Sequence, residues 1–168
     1  MVIWLFGLSG AGKTTISKYL FKKLKKNNPQ IVLIDNDEIR EILGTENLGF
    51  DAESRIIKAK KIQKLALMLS NQNLIVIVCV TFSNKEISKW NRENFKTYYE
   101  IFLDVSINTV IKRDPKGLYK MYKEGKMKNI VGLDVKLEKP KNFDLKINEK
   151  SNLEEATNLI ISKISELK

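Results

Sequence analysis

The sequence predicts an α/β fold built on a parallel sheet, and three observations carry that prediction. Short apolar runs alternate with longer amphipathic ones from end to end; the strand-like runs are rich in Val and Ile, as strands covered on both faces are; and the first run leads straight into a glycine-rich turn and a helix. Val2 to Phe6 reads as a buried strand, and Lys13 to Lys26 as a helix whose Ile16, Leu20 and Leu24 recur at helical spacing. After Pro29 a second strand, Ile31 to Ile34, is expected, then a short helix from Glu38 to Leu43 and a long one from Glu53 to Ser70 with Ile62, Leu65, Ala66 and Leu69 on one face. Leu74 to Val80 is apolar throughout and is expected to be the central strand. Ile101 to Val105 and Leu145 to Ile147 complete the strands. A closing helix carries Leu153, Ala156, Ile160, Ile164 and Leu167 as its stripe. The stretch from Arg113 to Pro140 is long for a connection and holds Gly117, Gly125, Gly132, Pro115 and Pro140, which suits a mobile lid.

One domain, residues 1–168, is expected from the length, and 43% hydrophobic residues suffice for one core. The longest apolar run, Leu74 to Phe82, is far short of the roughly 20 residues that span a bilayer, and no basic segment precedes the first strand. A cytoplasmic protein without membrane contact is therefore expected. The net charge of +10 favours an anionic partner, but the lysines are scattered and lack the interleaved aromatics of a single-strand binder, so nucleic acid is not expected. The single cysteine, Cys79, excludes disulfides within the chain, and its apolar neighbours place it in the core. Without histidine, serine–histidine catalysis and histidine-ligated zinc are excluded as well, which leaves carboxylates, cations and hydroxyls.

Those groups concentrate in two places. Gly7-Leu8-Ser9-Gly10-Ala11-Gly12-Lys13-Thr14 fills G-x-x-x-x-G-K-S/T between the first strand and first helix. Its glycines let successive N–H groups converge on phosphate oxygens at a helix N-terminus, with Lys13 as a point charge and Thr14 as a Mg²⁺ ligand. Asp35-Asn36-Asp37 ends the second strand, at the sheet edge where open α/β folds bind ligands. Asp35 suits a general base or a metal-holding carboxylate. Asp37 serves equally as a site residue or as the cap of the helix that follows. Arg40 and Arg55 are candidates for an anionic acceptor, though spacing alone does not select them.

The P-loop, Asp35-Asn36-Asp37 with Arg40, Leu48-Gly49-Phe50 with Arg55, Arg113-Asp114-Pro115-Lys116-Gly117-Leu118-Tyr119, and Asn129-Ile130-Val131-Gly132-Leu133-Asp134 with Glu138 and Pro140 together resemble the adenylylsulfate kinase family, in order over about residues 1–148. The resemblance implies a three-layer P-loop kinase fold with a parallel five-stranded sheet, and transfer of the γ-phosphate of ATP to a nucleotide's ribose 3′-hydroxyl. It assigns Gly7, Ser9, Gly10, Ala11, Gly12, Lys13, Thr14 and Thr15 to ATP, Arg113 to the neighbourhood of its base, and Thr14 and Asp35 to Mg²⁺. Lys13, Asp35 and Lys116 become the catalytic set. Asp37, Arg40, Phe50, Arg55, Lys58, Lys116, Gly117, Leu118 and Ile130 become acceptor contacts; from the residues alone Phe50 would read as a core aromatic. The family commonly forms dimers, which leaves a homodimer open.

The departures lie on the acceptor side. Asn36 interrupts the family's D-G-D, Lys58 stands where an asparagine is usual, Thr81-Phe82-Ser83-Asn84-Lys85 replaces I-S-P-Y-R, and Ile130 replaces a phenylalanine that resembles one face of an aromatic sandwich around adenine. Losing that face weakens a purine site by about 1–3 kcal/mol. Two acceptors follow, adenylylsulfate and the smaller cytidine diphosphoramidate, a precursor in phosphoramidate modification of bacterial capsules, and the departures lean to the second. A non-catalytic nucleic-acid-binding module is opposed by the intact Lys13, Thr14, Asp35 and Lys116, and a shikimate-type kinase by the R-D-x-K-G-L-Y element.

Overall fold

The computed structural model describes residues 1–138 and 142–165. Five parallel strands, β1 (Val2–Phe6), β2 (Ile31–Asp35), β3 (Ile75–Val80), β4 (Tyr98–Asp104) and β5 (Leu145–Asn148), lie in the order β2-β3-β1-β4-β5. The connections carry α1 (Lys13–Lys25), α2 (Ala52–Asn71), α3 (Lys85–Asn94), α4 (Ile107–Arg113) and α5 (Leu118–Lys123), and α6 (Leu153–Ser165) closes the described chain. β1 is wholly buried because helices cover both faces, and alternation divides its side chains: Ile3 and Leu5 meet Ile16 and Leu20 of α1 and Ile160 of α6, whereas Val2, Trp4 and Phe6 meet Ile62 and Ala66 of α2 and Ile87 of α3. The result is three layers.

β1 and β3 are neighbours in register, from Val2 with Val76 to Phe6 with Val80, yet the helices that follow them pack on opposite faces of the sheet. A crevice must open between their carboxyl ends, which is where doubly wound sheets bind ligands. No described helix is long and apolar enough to cross a membrane.

Some expectations need correction. β3 is internal, but the middle strand is β1, because the chain crosses β1 to lay down β4 on its far side. Residues 36–44 form successive turns and no helix. The Glu38 and Ile39 N–H groups both return to the Asp35 carbonyl (3.0 and 3.1 Å), and Gly44, with φ 57°, ends the segment before a helical repeat builds up. Segment 113–138, expected as a lid, carries regular structure of its own. It contains α5 and a bridge between Val131 and Val135, and it buries Tyr119, Ile130 and Val131 in the core. Leu153 is exposed and stands off the α6 stripe, while Pro140 and Leu167 lie outside the described residues.

Candidate active site

The chain turns sharply at the end of β1. Gly7 has φ 155°, and a Cβ there would come within 2.8 Å of the Leu103 carbonyl oxygen, so the loop leaves the sheet through a space only glycine fits. Gly12, with φ 97°, is the N-cap of α1 and offers no side chain to the first-turn N–H groups; that turn has no acidic residue. An uncapped, uncompensated helix start of this kind favours an anion. Lys13 is 8% exposed, and its Nζ donates to the Leu8 carbonyl at 2.7 Å. Burial pulls this ammonium down to about 8, with Lys116 adding to the effect and Cys79, Asp37 and Asp35 opposing it.

The Thr14 hydroxyl donates to Asp35 Oδ2 at 2.7 Å, and the Asp37 N–H donates to Asp35 Oδ1 at 3.0 Å, which holds the buried carboxylate beside the loop. These groups face a cavity of about 620 Å³. Ser9, Gly10, Gly12, Lys13, Thr14, Thr15 and Asp35 line it as expected, whereas Gly7 and Ala11 lie behind its wall. Arg113 lines it too, its guanidinium 3.5 Å from the Gly10 carbonyl. Cys79 is also a wall residue: its Sγ lies 3.9 Å from Thr14 Oγ1, and burial pushes the thiol up to about 11, so it is no reactive thiolate.

A second cavity opens on the α2 side of the sheet edge, and Phe50 lines it. Three cations surround that ring: the Arg40 and Arg55 guanidinium carbons lie 5.5 and 5.6 Å from its centroid and Lys58 Nζ lies 5.2 Å from it. Phe50 is therefore a wall of the cavity and no core aromatic. Asp51 caps α2 by accepting from the Ser54 N–H at 2.9 Å, and this helix start delivers Arg55 and Lys58 on consecutive turns. Arg55 donates to the carbonyls of Phe50 (2.6 Å) and Asn129 (2.7 Å), tying α2 to the loop before the Val131–Val135 bridge. Lys58, 8% exposed, gives two of its protons to the Leu48 and Gly49 carbonyls at 2.9 and 2.7 Å, so it shapes the loop that presents Phe50. Burial, then Arg40 and Arg55, lower its pKa. Leu118 and Ile130 complete the expected lining; Gly117 does not reach the cavity and instead caps α5 with φ 66°. Asp37 caps no helix: it pairs with Lys116 across the opening.

The two cavities share a wall of Ser9, Asn36, Asp37, Thr81 and Lys116. Strand alternation sets its two sides, because Asp35 and Cys79 line only the P-loop cavity and Val80 only the α2-side cavity, while Asn36, one residue past β2, lines both. Sequence reasoning did not assign Asn36, Thr81 or Phe82 to the site. Phe82 lines the second cavity with its ring 6.0 Å from the Arg55 guanidinium. The available signal was that all three depart from the family pattern. Among the described residues no group of three or more acidic or thiol side chains could cage a metal. The Thr14 hydroxyl and Asp35 carboxylate do fit Mg²⁺, which takes one or two protein oxygens and completes its shell with phosphate and water.

Comparison with known proteins gives this geometry its relatives. The family model for adenylylsulphate kinase matches residues 1–148. Cytidine diphosphoramidate kinase of Campylobacter jejuni is 42% identical over 166 residues, covering 98% of this chain and 96% of that protein. The probable adenylyl-sulfate kinase of Pyrococcus abyssi is 34% identical over 166 residues, covering 98% and 95%. Among solved structures, the APS kinase of Mycobacterium tuberculosis in complex with AMPPNP and APS superposes with a TM-score of 0.86 at 26% identity, covering 98% of this chain and 96% of that one. A P-loop kinase by its sheet, its phosphate loop and its relatives alike, the chain belongs to the adenylylsulphate kinase family.

Proposed function

We propose that this kinase transfers the γ-phosphoryl group of MgATP to the ribose 3′-hydroxyl of cytidine diphosphoramidate. One observation carries the reading: Asn36, Lys58, Thr81, Phe82 and Ile130, which depart from the family pattern at four separate places in the sequence, all line the one cavity around Phe50. The phosphate loop facing the other cavity has no such departure. A kept donor and a changed acceptor leave that pattern, and the relative with 42% identity acts on cytidine diphosphoramidate by its name.

In this reading residues 1–168 act as one domain. The N-terminal turn of α1 and Lys13 hold the ATP phosphates, and Arg113 flanks the nucleotide. Thr14 and Asp35 would hold Mg²⁺, which would supply charge neutralisation on the phosphates. Asp35 orients the acceptor hydroxyl at the shared wall. Arg40 and Arg55 meet the acceptor's charged 5′ end, which suits Arg40 in particular because its Nε is buried without a hydrogen-bond partner. Phe50 carries the base. Lys116 exchanges Asp37 for the transferring phosphoryl when segment 113–138 closes, and closure excludes water that would otherwise hydrolyse ATP.

Steady-state ADP release with MgATP and each acceptor tests the proposal. A higher kcat/KM for cytidine diphosphoramidate than for adenylylsulfate is expected, and the reverse order overturns it. The second reading, an adenylylsulfate kinase making 3′-phosphoadenylylsulfate, is favoured by the named adenylyl-sulfate kinases at 34% identity.

A further inference from the structure

The wall between the two cavities carries a carboxamide without a partner. Asn36 stands one residue beyond β2, and its N–H donates to the Cys79 carbonyl at 3.1 Å, so the β2–β3 ladder still fixes its backbone. The Asp35 carboxylate is held at the phosphate loop, whereas Asn36 lines both that cavity and the one where Phe50 and Arg55 lie. The groups beside it already have partners in this structure: both Asp35 oxygens accept hydrogen bonds, Asp37 pairs with Lys116, and Arg55 donates to two carbonyls. The Asn36 carboxamide is half-buried, lines both cavities and makes no hydrogen bond with a described residue. A carboxamide offers two donors and an acceptor, and leaving them unmet in a site closed to water is costly. A neutral group is poorly matched to phosphate, which the loop N–H groups and Lys13 already serve, but it is well matched to a sugar hydroxyl.

Given the reading above, in which the acceptor's 3′-oxygen meets the phosphoryl group at this wall, the neighbouring 2′-hydroxyl is the group left on the acceptor face. We propose that Asn36 hydrogen-bonds the 2′-hydroxyl of the acceptor ribose, which holds the 3′-oxygen toward the donor and makes the enzyme selective for ribonucleotide over 2′-deoxyribonucleotide acceptors.

The test compares kcat/KM for each acceptor and its 2′-deoxy form, using cytidine diphosphoramidate and adenylylsulfate, in the unaltered enzyme and in Asn36→Ala. The unaltered enzyme should prefer the ribose form by about tenfold, the worth of one hydrogen bond to a neutral group. Asn36→Ala should bring that ratio close to one by losing rate on the ribose form, with the KM for MgATP unchanged. Because both sugars are measured on the same protein, a general loss of folded enzyme cancels from the ratio. A ratio that survives in Asn36→Ala, an unaltered enzyme indifferent to the 2′-hydroxyl, or a variant whose main defect is in the KM for MgATP each overturns the proposal. The choice between bases is read from a different pair of rates. Faster use of adenylylsulfate would therefore defeat the cytidine reading while leaving the role of Asn36 to be decided on the adenylylsulfate pair.

Discussion

The two cavities that meet at Asp37 and Lys116 are built by different means. The donor cavity has one contiguous segment at its centre, residues 9–15, where positive φ at Gly10 and Gly12 and the start of α1 set the backbone, and the ends of β2 and β3 and residues 113–116 close it. The acceptor cavity is assembled from side chains of distant segments: Asn36 to Arg40, Phe50 to Ile62, Val80 to Phe82, Lys116 to Leu118, and Ile130 with Val131. A backbone cradle tolerates little substitution because geometry does the binding. A side-chain pocket can be re-specified one residue at a time while the fold stays put. This difference accounts for an intact phosphate loop beside departures that lie on the shared wall, at Asn36 and Thr81, and in the side-chain pocket, at Lys58, Phe82 and Ile130.

The comparison is broken most severely through Lys13. Lys13→Ala should lower kcat by about 10³-fold, the scale of a preorganised charge lost from a transition state, and Asp35→Asn by about 10²-fold, with the acceptor KM little changed. A coupled ADP-release assay decides; near-normal kcat in either variant would remove these residues from the catalytic set. On the acceptor side, Phe50→Ala should raise the acceptor KM by about thirtyfold, within the roughly 1–3 kcal/mol of base stacking, and leave the KM for MgATP unchanged. An equal rise in both KM values would mean that the cavities are not separate.

The donor side also has its own pH signature. Burial lowers the Lys13 ammonium to about 8, so it carries its charge below that pH and loses it above. In the free enzyme kcat/KM for MgATP should fall about tenfold per pH unit well above pH 8 and stay flat from this group below it, whereas bound phosphate raises the Lys13 pKa and moves the fall in kcat to higher pH. A profile flat to pH 10 would contradict this. The smallest effect should come from Lys58→Met, which keeps the buried stem but frees the Leu48 and Gly49 carbonyls. A fewfold rise in acceptor KM with a modest loss of Tm is expected, since the lysine acts through the loop that presents Phe50.

Much of the fold was legible because its signals are local. The Val and Ile runs marked every strand to within three residues, and the glycine pattern marked the turn into α1. α3 was missed because its sequence, KEISKWNREN, is polar with few buried residues; the signal was Asn84, whose Oδ1 accepts from the Ile87 N–H at 2.8 Å. α4 and α5 were missed because helices of 7 and 6 residues leave too few turns for a periodicity to emerge. The expected helix at 38–43 failed for the converse reason: Ile39, Ile42 and Leu43 have helical spacing, but Ile42 is 79% exposed and no face of the segment packs well enough to hold a helix.

In the site, the phosphate loop and Asp35 could be read directly because a chain segment carries its own backbone geometry. Phe50 and Lys58 could not be read correctly from residues alone, since one looks like core and the other like surface until their surroundings are known.

The sequence by itself determined the alternation of strand and helix, the phosphate loop and the absence of histidine and disulfide chemistry, because periodicity, glycine torsions and composition act over a few neighbouring residues. Only the tertiary structure decided that residues 36, 58, 81, 82 and 130 line one cavity and that Asn36 lines both cavities while Asp35, its neighbour in the chain, lines one. Those outcomes depend on the strand order β2-β3-β1-β4-β5 and on the two-residue period of the strand end, and no local pattern encodes which segments a sheet will bring together.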